Sequence, residues 1–125
     1  MEPRYGLYTE DPREVTPLHE VRDREKYKLL VAAMTEHGWQ GHPVLAYDDG
    51  NGYHAITGSH RIAAARAAGI QISVYFLDAE RVERYCIDHD LTFSEALGAD
   101  DDDRLDFIRQ MGDAEALAIM EAGCC

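Results

Sequence analysis

The chain has 125 residues, 46% of them hydrophobic and 29% charged, which is the size and composition of one soluble globular domain. Its 12 Lys and Arg against 24 Asp and Glu leave a net charge of −12, which excludes a protein that coats duplex DNA by neutralising phosphates. No apolar run approaches the roughly 20 residues of a membrane helix. The first residues, MEPRYGLYTEDPRE, hold no apolar stretch, so no secretory leader is expected.

In chain order, residues 4–8 could form a short first strand, and Pro12 and Pro17 predict a loop after it, because proline lacks the donor a sheet ladder needs. Residues 23–37 predict a helix. Tyr27, Leu30, Val31 and Met34 make one apolar stripe at helical spacing, with Asp23 as N-cap and Gly38 as stop. Residues 43–47 and 53–57 predict a β-hairpin around Asp48-Asp49-Gly50-Asn51-Gly52, where Gly and Asn supply positive φ. Residues 59–68 are Ala-rich and helical up to Gly69. Residues 72–77 (ISVYFL) are β-branched and aromatic, so they predict a buried strand. Residues 53–77 together predict a strand–helix–strand crossover. Tyr47, Tyr75 and Phe76 are read as structural.

The remainder reads as helices over 79–90, from Thr92, over 105–111 and over 114–122. Thr92 and Glu95 have capping-box spacing, and Asp100–103 and Asp113 favour the helix starts they precede. The run 100–103 reads as a solvated cap; a carboxylate cluster for Mg²⁺ or Ca²⁺ is the alternative, without the alternating spacing or glycine of a calcium loop. Charge divides the chain. Residues 1–77 hold 10 acidic and 8 basic side chains, net −2, whereas 78–125 hold 14 acidic and 4 basic, net −10. We therefore expect a core over 1–77 and an acidic helical extension over 78–125 packed on it. Cys86, Cys124 and Cys125 are odd in number, and two are adjacent. They predict no disulfide framework, and the expected compartment is the reducing cytoplasm. Cys86 and His89 have C-x-x-H spacing but no second ligand pair nearby, so no metal site is expected.

The chemistry sits in Thr57-Gly58-Ser59-His60-Arg61. A strand ends at Gly58 and a helix starts at once, so its first N–H groups have no intrahelical partner. Gly58 lets an anion approach the backbone, Ser59 adds a hydroxyl, and His60 and Arg61 add donors. This is a phosphate cradle; equally, Ser59 could only cap the helix and Arg61 only be a surface charge.

The run T-G-S-H-R-I-A-A-A-R-A-A-G, after a hairpin and before a β-branched strand, resembles the ParB/sulfiredoxin superfamily, whose members carry a G-x-x-R turn before an Ala-rich helix. Pro17-Leu18-His19-Glu20, the helix ending at Gly38, and Pro43 follow in the family's order, so the resemblance spans about residues 4–77. It implies an α+β fold, a small mixed sheet with helices. It also implies a nucleotide (ATP, ADP or CTP, with Mg²⁺ as its usual companion) held at Gly58, Ser59, His60 and Arg61. Ser59 stands where sulfiredoxins carry cysteine, so their chemistry is not expected. A free-serine kinase branch uses a Pro-His-Glu segment that Pro17-Leu18-His19-Glu20 resembles with one extra residue, which makes Glu20 the candidate catalytic base, with His60 as phosphate contact or proton shuttle. Arg22 could add a positive charge or pair with Asp23 or Glu25. His42 falls where the family often places a polar residue near the nucleotide. Trp39 and Tyr53 could stack on a base or belong to the core.

Three functions stay open. The first is nucleotide-dependent phosphoryl transfer or hydrolysis. The second is a nucleotide-gated interaction module whose acidic helices meet a second copy or another protein. The third is a ParB-like nuclease or partition accessory, against which the −10 extension argues by repelling DNA over a Debye length of about 10 Å.

Overall fold

The computed structural model describes residues 2–122. Its centre is a five-stranded mixed sheet built from β1 (Gly6–Glu10), β2 (Val15–Thr16), β3 (Val44–Asp48), β4 (Tyr53–Ala55) and β5 (Ile72–Phe76), in the order β1-β5-β3-β4-β2. Two helices, α1 (Arg24–His37) and α2 (Ser59–Ala68), fall within the strand-bearing part. Four more follow it: α3 (Ala79–His89), α4 (Phe93–Leu97), α5 (Asp101–Met111) and α6 (Ala114–Ala122).

The sheet works because its central strands are apolar on both faces, as strands covered by helices on each side must be. Every residue of β3 is buried. Val44 and Ala46 join Ile72, Val74 and Phe76 of β5 in a core closed by Met34 of α1 and Ile62, Ala64 and Ala65 of α2. The alternate residues Leu45, Tyr47, Tyr75 and Leu77 face a second core with Val82, Leu97, Phe107, Ile108 and Met120 from the four later helices. The sheet is thus the middle of three layers, and the period of two along each strand decides which core a side chain enters.

The hairpin β3–β4 forms with Ala46 opposite Ala55, and Asp49 closes its turn by accepting from the N–H groups of Asn51 and Gly52 at 2.7 Å each. The expected crossover over 53–77 is corrected. β4 lies antiparallel to β3, while β5 lies parallel to β3. β4 and β5 therefore run in opposite directions with β3 between them, and the parallel crossover joins β3 to β5 through both β4 and α2. The strand pattern alone shows that a helix intervenes, not which earlier strand is the partner. The loop expected after the first strand also needs correction. It contains a single 3₁₀ turn (Pro12–Glu14) and the two-residue strand β2, which pairs parallel with β4. β1 begins two residues later than expected and pairs antiparallel with β5.

The helix caps follow the sequence. Asp23 accepts from the N–H of Lys26, Thr92 and Glu95 form a full capping box, and Asp100 accepts from the N–H of Asp103. That places Asp101, Asp102 and Asp103 inside the first turn of α5, which starts four residues before the expected position. Arg66, on the last turn of α2, donates to the carbonyls of Pro12 and Val15 at 2.9 and 2.8 Å. This fixes the segment that leads into residues 17–23. No helix of the described residues is long and apolar enough to cross a membrane.

Candidate functional site

The turn from β4 into α2 is held from beneath. Ile56 donates its N–H to the carbonyl of Leu45 at 2.7 Å, and Thr57 Oγ1 accepts from the N–H of Leu45 at 3.0 Å. Gly58 then takes φ +78°, with no side chain capping α2. A Cβ on Gly58 would lie 2.3 Å from Cγ1 of Val44, so both the backbone conformation and the packing require glycine. The N–H groups of Ser59 and His60 precede the first bond of the helix ladder, which Ile62 makes to the carbonyl of Gly58 at 2.8 Å.

These residues form the floor of a cleft of about 340 Å³, lined by Ile56, Thr57, Gly58, Ser59 and His60. One wall comes from Leu18, His19, Arg22 and Lys26, and the other from Ala99, Asp100, Asp101 and Arg104 at the start of α5. Its lining carries three basic side chains, Arg22, Lys26 and Arg104, against the two carboxylates of Asp100 and Asp101, a positive balance in a chain of net charge −12.

Ser59 is buried, and its hydroxyl oxygen accepts from the N–H of His19 at 3.3 Å, which leaves its O–H as a donor. The His60 ring accepts at Nε2 from the N–H groups of Arg22 and Asp23 at 3.1 and 3.0 Å. Two backbone donors can be answered only by a deprotonated nitrogen, so the proton sits on Nδ1 and the ring is neutral. Partial burial pushes the His60 pKa down, and the charge of Lys26 pushes it further. His19 lies edge-on to His60, with ring centroids 5.6 Å apart, and its Nδ1 bonds the carbonyl of Glu20 at 2.7 Å.

His60 therefore clasps the start of α1 to the start of α2, and the clasp has a pH signature. A folded-state pKa below the free value of about 6.5 gives stability that is present above that pH and lost as pH falls through the folded value. The melting temperature of the wild type should drop more steeply between pH 7.5 and 5 than that of His60→Gln. Parallel profiles in a thermal melt series would show that the ring does not hold these two N–H groups.

The structure brings Gly58, Ser59, His60 and Arg22 together in the cleft. Arg61 lies behind it. It is 7% exposed, donates to the carbonyls of Gln40 and His42 and covers the Trp39 ring at 5.0 Å. Its guanidinium passes 3.5 Å from where a Gly58 Cβ would be, so its charge underlies the turn while its donors brace the loop from α1 to β3. His42 uses its carbonyl there and its side chain is exposed. Glu20 is exposed on the segment that carries His19 and is not among the residues lining the cleft. Neither are Trp39 and Tyr53; Tyr53 packs edge-on against Phe76 at 4.9 Å.

Sequence reasoning missed His19, Lys26 and Arg104. Lys26 carried a signal, since it is one helical turn after the Asp23 cap. Arg104 carried none, because only the tertiary fold places α5 beside the turn. Among the described residues no group of three His, Cys, Asp or Glu side chains is placed to hold a metal ion. Cys86 is half-buried, with its thiol pKa raised by burial, and His89 Nδ1 bonds the carbonyl of Tyr85 at 2.9 Å. Cys124 and Cys125 lie outside the described residues.

The helix-covered mixed sheet with its glycine turn into α2 is a sulfiredoxin-like fold. Sulfiredoxin from Arabidopsis thaliana is similar at a TM-score of 0.52 and 17% identity, over 65% of this chain and 96% of that one. The C-terminally truncated chromosome-partitioning protein ParB from Caulobacter crescentus, solved with CTP-γ-S, matches at a TM-score of 0.49 and 13% identity, over 93% and 97%. At these identities the likeness is one of fold. No family model matches the chain, and no curated protein matches it.

Proposed function

We propose that the chain binds the phosphates of a nucleotide in the cleft above Gly58-Ser59-His60. The observation that carries this reading is the convergence on one cleft of an uncapped helix start and the basic side chains of Arg22 and Lys26. The N–H groups of Ser59 and His60 and the positive end of the helix dipole favour an anion there. Ser59 O–H adds a neutral donor and Lys26 a mobile charge. The resemblance of residues 57–69 to the family's turn supports ATP, ADP or CTP as the candidates. Mg²⁺ would come with the nucleotide as its counter-ion, held by the phosphates themselves.

Phosphoryl transfer or hydrolysis is the activity we assign to the bound nucleotide. Glu20 is the carboxylate of the 17–20 segment, next in the chain to His19 of the cleft wall, and would orient an acceptor hydroxyl or water. Its exposure makes Glu20→Ala a clean test, because turnover should fall while nucleotide affinity stays.

Binding is tested by thermal shift with ATP, ADP, CTP and GTP, each with and without Mg²⁺, on wild type and Lys26→Ala. Ligand at about 100 times its dissociation constant should add about 2.7 kcal/mol, several degrees for a domain of this size. Lys26→Ala should weaken the affinity by about tenfold or more, the loss of one charge-assisted phosphate contact. Arg61→Ala is the wrong probe, because it would also release the loop that Arg61 braces. No shift with any nucleotide on the wild type would overturn the reading.

A further inference from the structure

We propose that Arg104 of α5 is a phosphate-binding residue of this cleft and that Asp101 is the internal anion a ligand must displace from it. The inference rests on the nucleotide reading and adds to it how the acidic helical segment takes part.

The four aspartates at the start of α5 have different work. Asp100 accepts from the N–H of Asp103, and Asp103 Oδ2 accepts from the N–H of Ala99, both at 2.9 Å. Gly98 has φ +73°, and a Cβ there would lie 2.3 Å from that of Asp103. Residues 98–103 are therefore locked to one another, and the entry into α5 is fixed against the cleft. Asp102 is exposed and is not among the lining residues. Asp101 is ion-paired with Arg104 one helical turn on.

The pair is asymmetric. The Arg104 side chain is 15% exposed, whereas that of Asp101 is 67% exposed. Arg104 is sheltered in the cleft wall opposite Arg22 and Lys26, and its partner sits at the rim in water. An exposed carboxylate is weakly held and strongly screened. A phosphate entering the cleft meets the same guanidinium with more charge and a matching two-point geometry. Arg104 would then close on the phosphates from the α5 side while the α2 turn holds them from below, and Asp101 would be freed to solvent. In the free protein Asp101 occupies the guanidinium that the phosphate takes over.

The test compares dissociation constants for the best nucleotide and for tripolyphosphate on wild type, Arg104→Gln, Asp101→Asn, the double variant and Asp102→Asn. Arg104→Gln should weaken both ligands about tenfold. Asp101→Asn should tighten both about three- to tenfold, and that gain should vanish in the Arg104→Gln background, the non-additivity of groups that act on each other. Asp102→Asn removes the same charge from the same turn, so it should move affinity far less. Equal effects of Asp101→Asn and Asp102→Asn would reduce the result to the general field and overturn the proposal. So would nucleotide binding that is indifferent to Arg104→Gln in a variant with the wild-type circular dichroism spectrum. Either outcome leaves nucleotide binding itself standing; a wild type that binds neither probe overturns both.

Discussion

Gly58→Ala should lower stability by about 2–5 kcal/mol, a fall in melting temperature on the order of 10 °C, and should abolish nucleotide binding with it. Two costs combine. A residue with a Cβ at φ +78° pays roughly 1–2 kcal/mol for the left-handed conformation. The methyl would also lie 2.3 Å from Val44 Cγ1, and Val44 is fully buried on the central strand β3, so it has nowhere to go; overpacking of this kind costs about 1–3 kcal/mol. Gly69→Ala separates the two. Gly69 has φ +71° but nothing within 4 Å of its Cβ position, so it should pay the conformational cost alone. If Gly58→Ala melts with Gly69→Ala, Val44 is not the rigid neighbour described. Adding Val44→Ala to Gly58→Ala should restore the spacing of the turn, and with it part of the nucleotide affinity, even though the second change costs core packing of its own.

What the sequence discloses and what it hides follow from the range of the interactions involved. Helix α2 was legible to the residue because its signals are local: a glycine before it, alanines through it, Gly69 after it. The same holds for Asp23, Gly38 and the Thr92–Glu95 capping box, whose partners are within four residues. Strand order was not legible. The run 72–76 shows a buried strand but not that it pairs with β3 on one side and β1 on the other, since both contacts close loops of many residues. β2 was masked by Pro12 and Pro17, whose warning against a ladder holds for long central strands and not for two residues on an edge.

The candidate site divides in the same way. Gly58, Ser59 and His60 were readable as neighbours on one strand-to-helix turn, because helix geometry fixes where their backbone donors go. Arg61 was readable as a donor, but its direction was not. Position 61 lies on the apolar side of α2, beside the fully buried Ile62 and between the turn and Trp39, so the side chain runs inward to carbonyls rather than outward to solvent. His60 was readable as a phosphate contact or proton shuttle, yet one of its nitrogens is spent on Arg22 and Asp23, a demand set by how α1 begins. Arg104 belongs to a segment whose bulk charge of −10 points away from anion binding. Only the three-dimensional fold sets that arginine beside Arg22 and Lys26 in the lining of one cleft.

Phe107→Ala asks whether that placement depends on the whole molecule. Phe107 is 1% exposed and sits three residues after Arg104 on α5. Its ring lies 5.2 Å from that of Tyr85 and 6.3 Å from that of Phe93, in the core shared with Leu45 of β3 and Tyr75 of β5. Truncation should cost about 3–5 kcal/mol, a large share of the stability of a domain this size. Two probes differ in reach. Trp39, the single tryptophan, packs against the α1–α2 core, while far-ultraviolet circular dichroism reports every helix. Because β3 and β5 carry side chains into both cores, the loss on one face should reach the other, and both probes should shift together to lower denaturant. Arg104 would then be delivered to the cleft by the same cooperative unit that forms the turn. A Trp39 transition left in place while helical signal is lost would show the opposite. Residues 79–122 would form a separable unit, and the arginine would enter or leave the cleft with its docking rather than with folding.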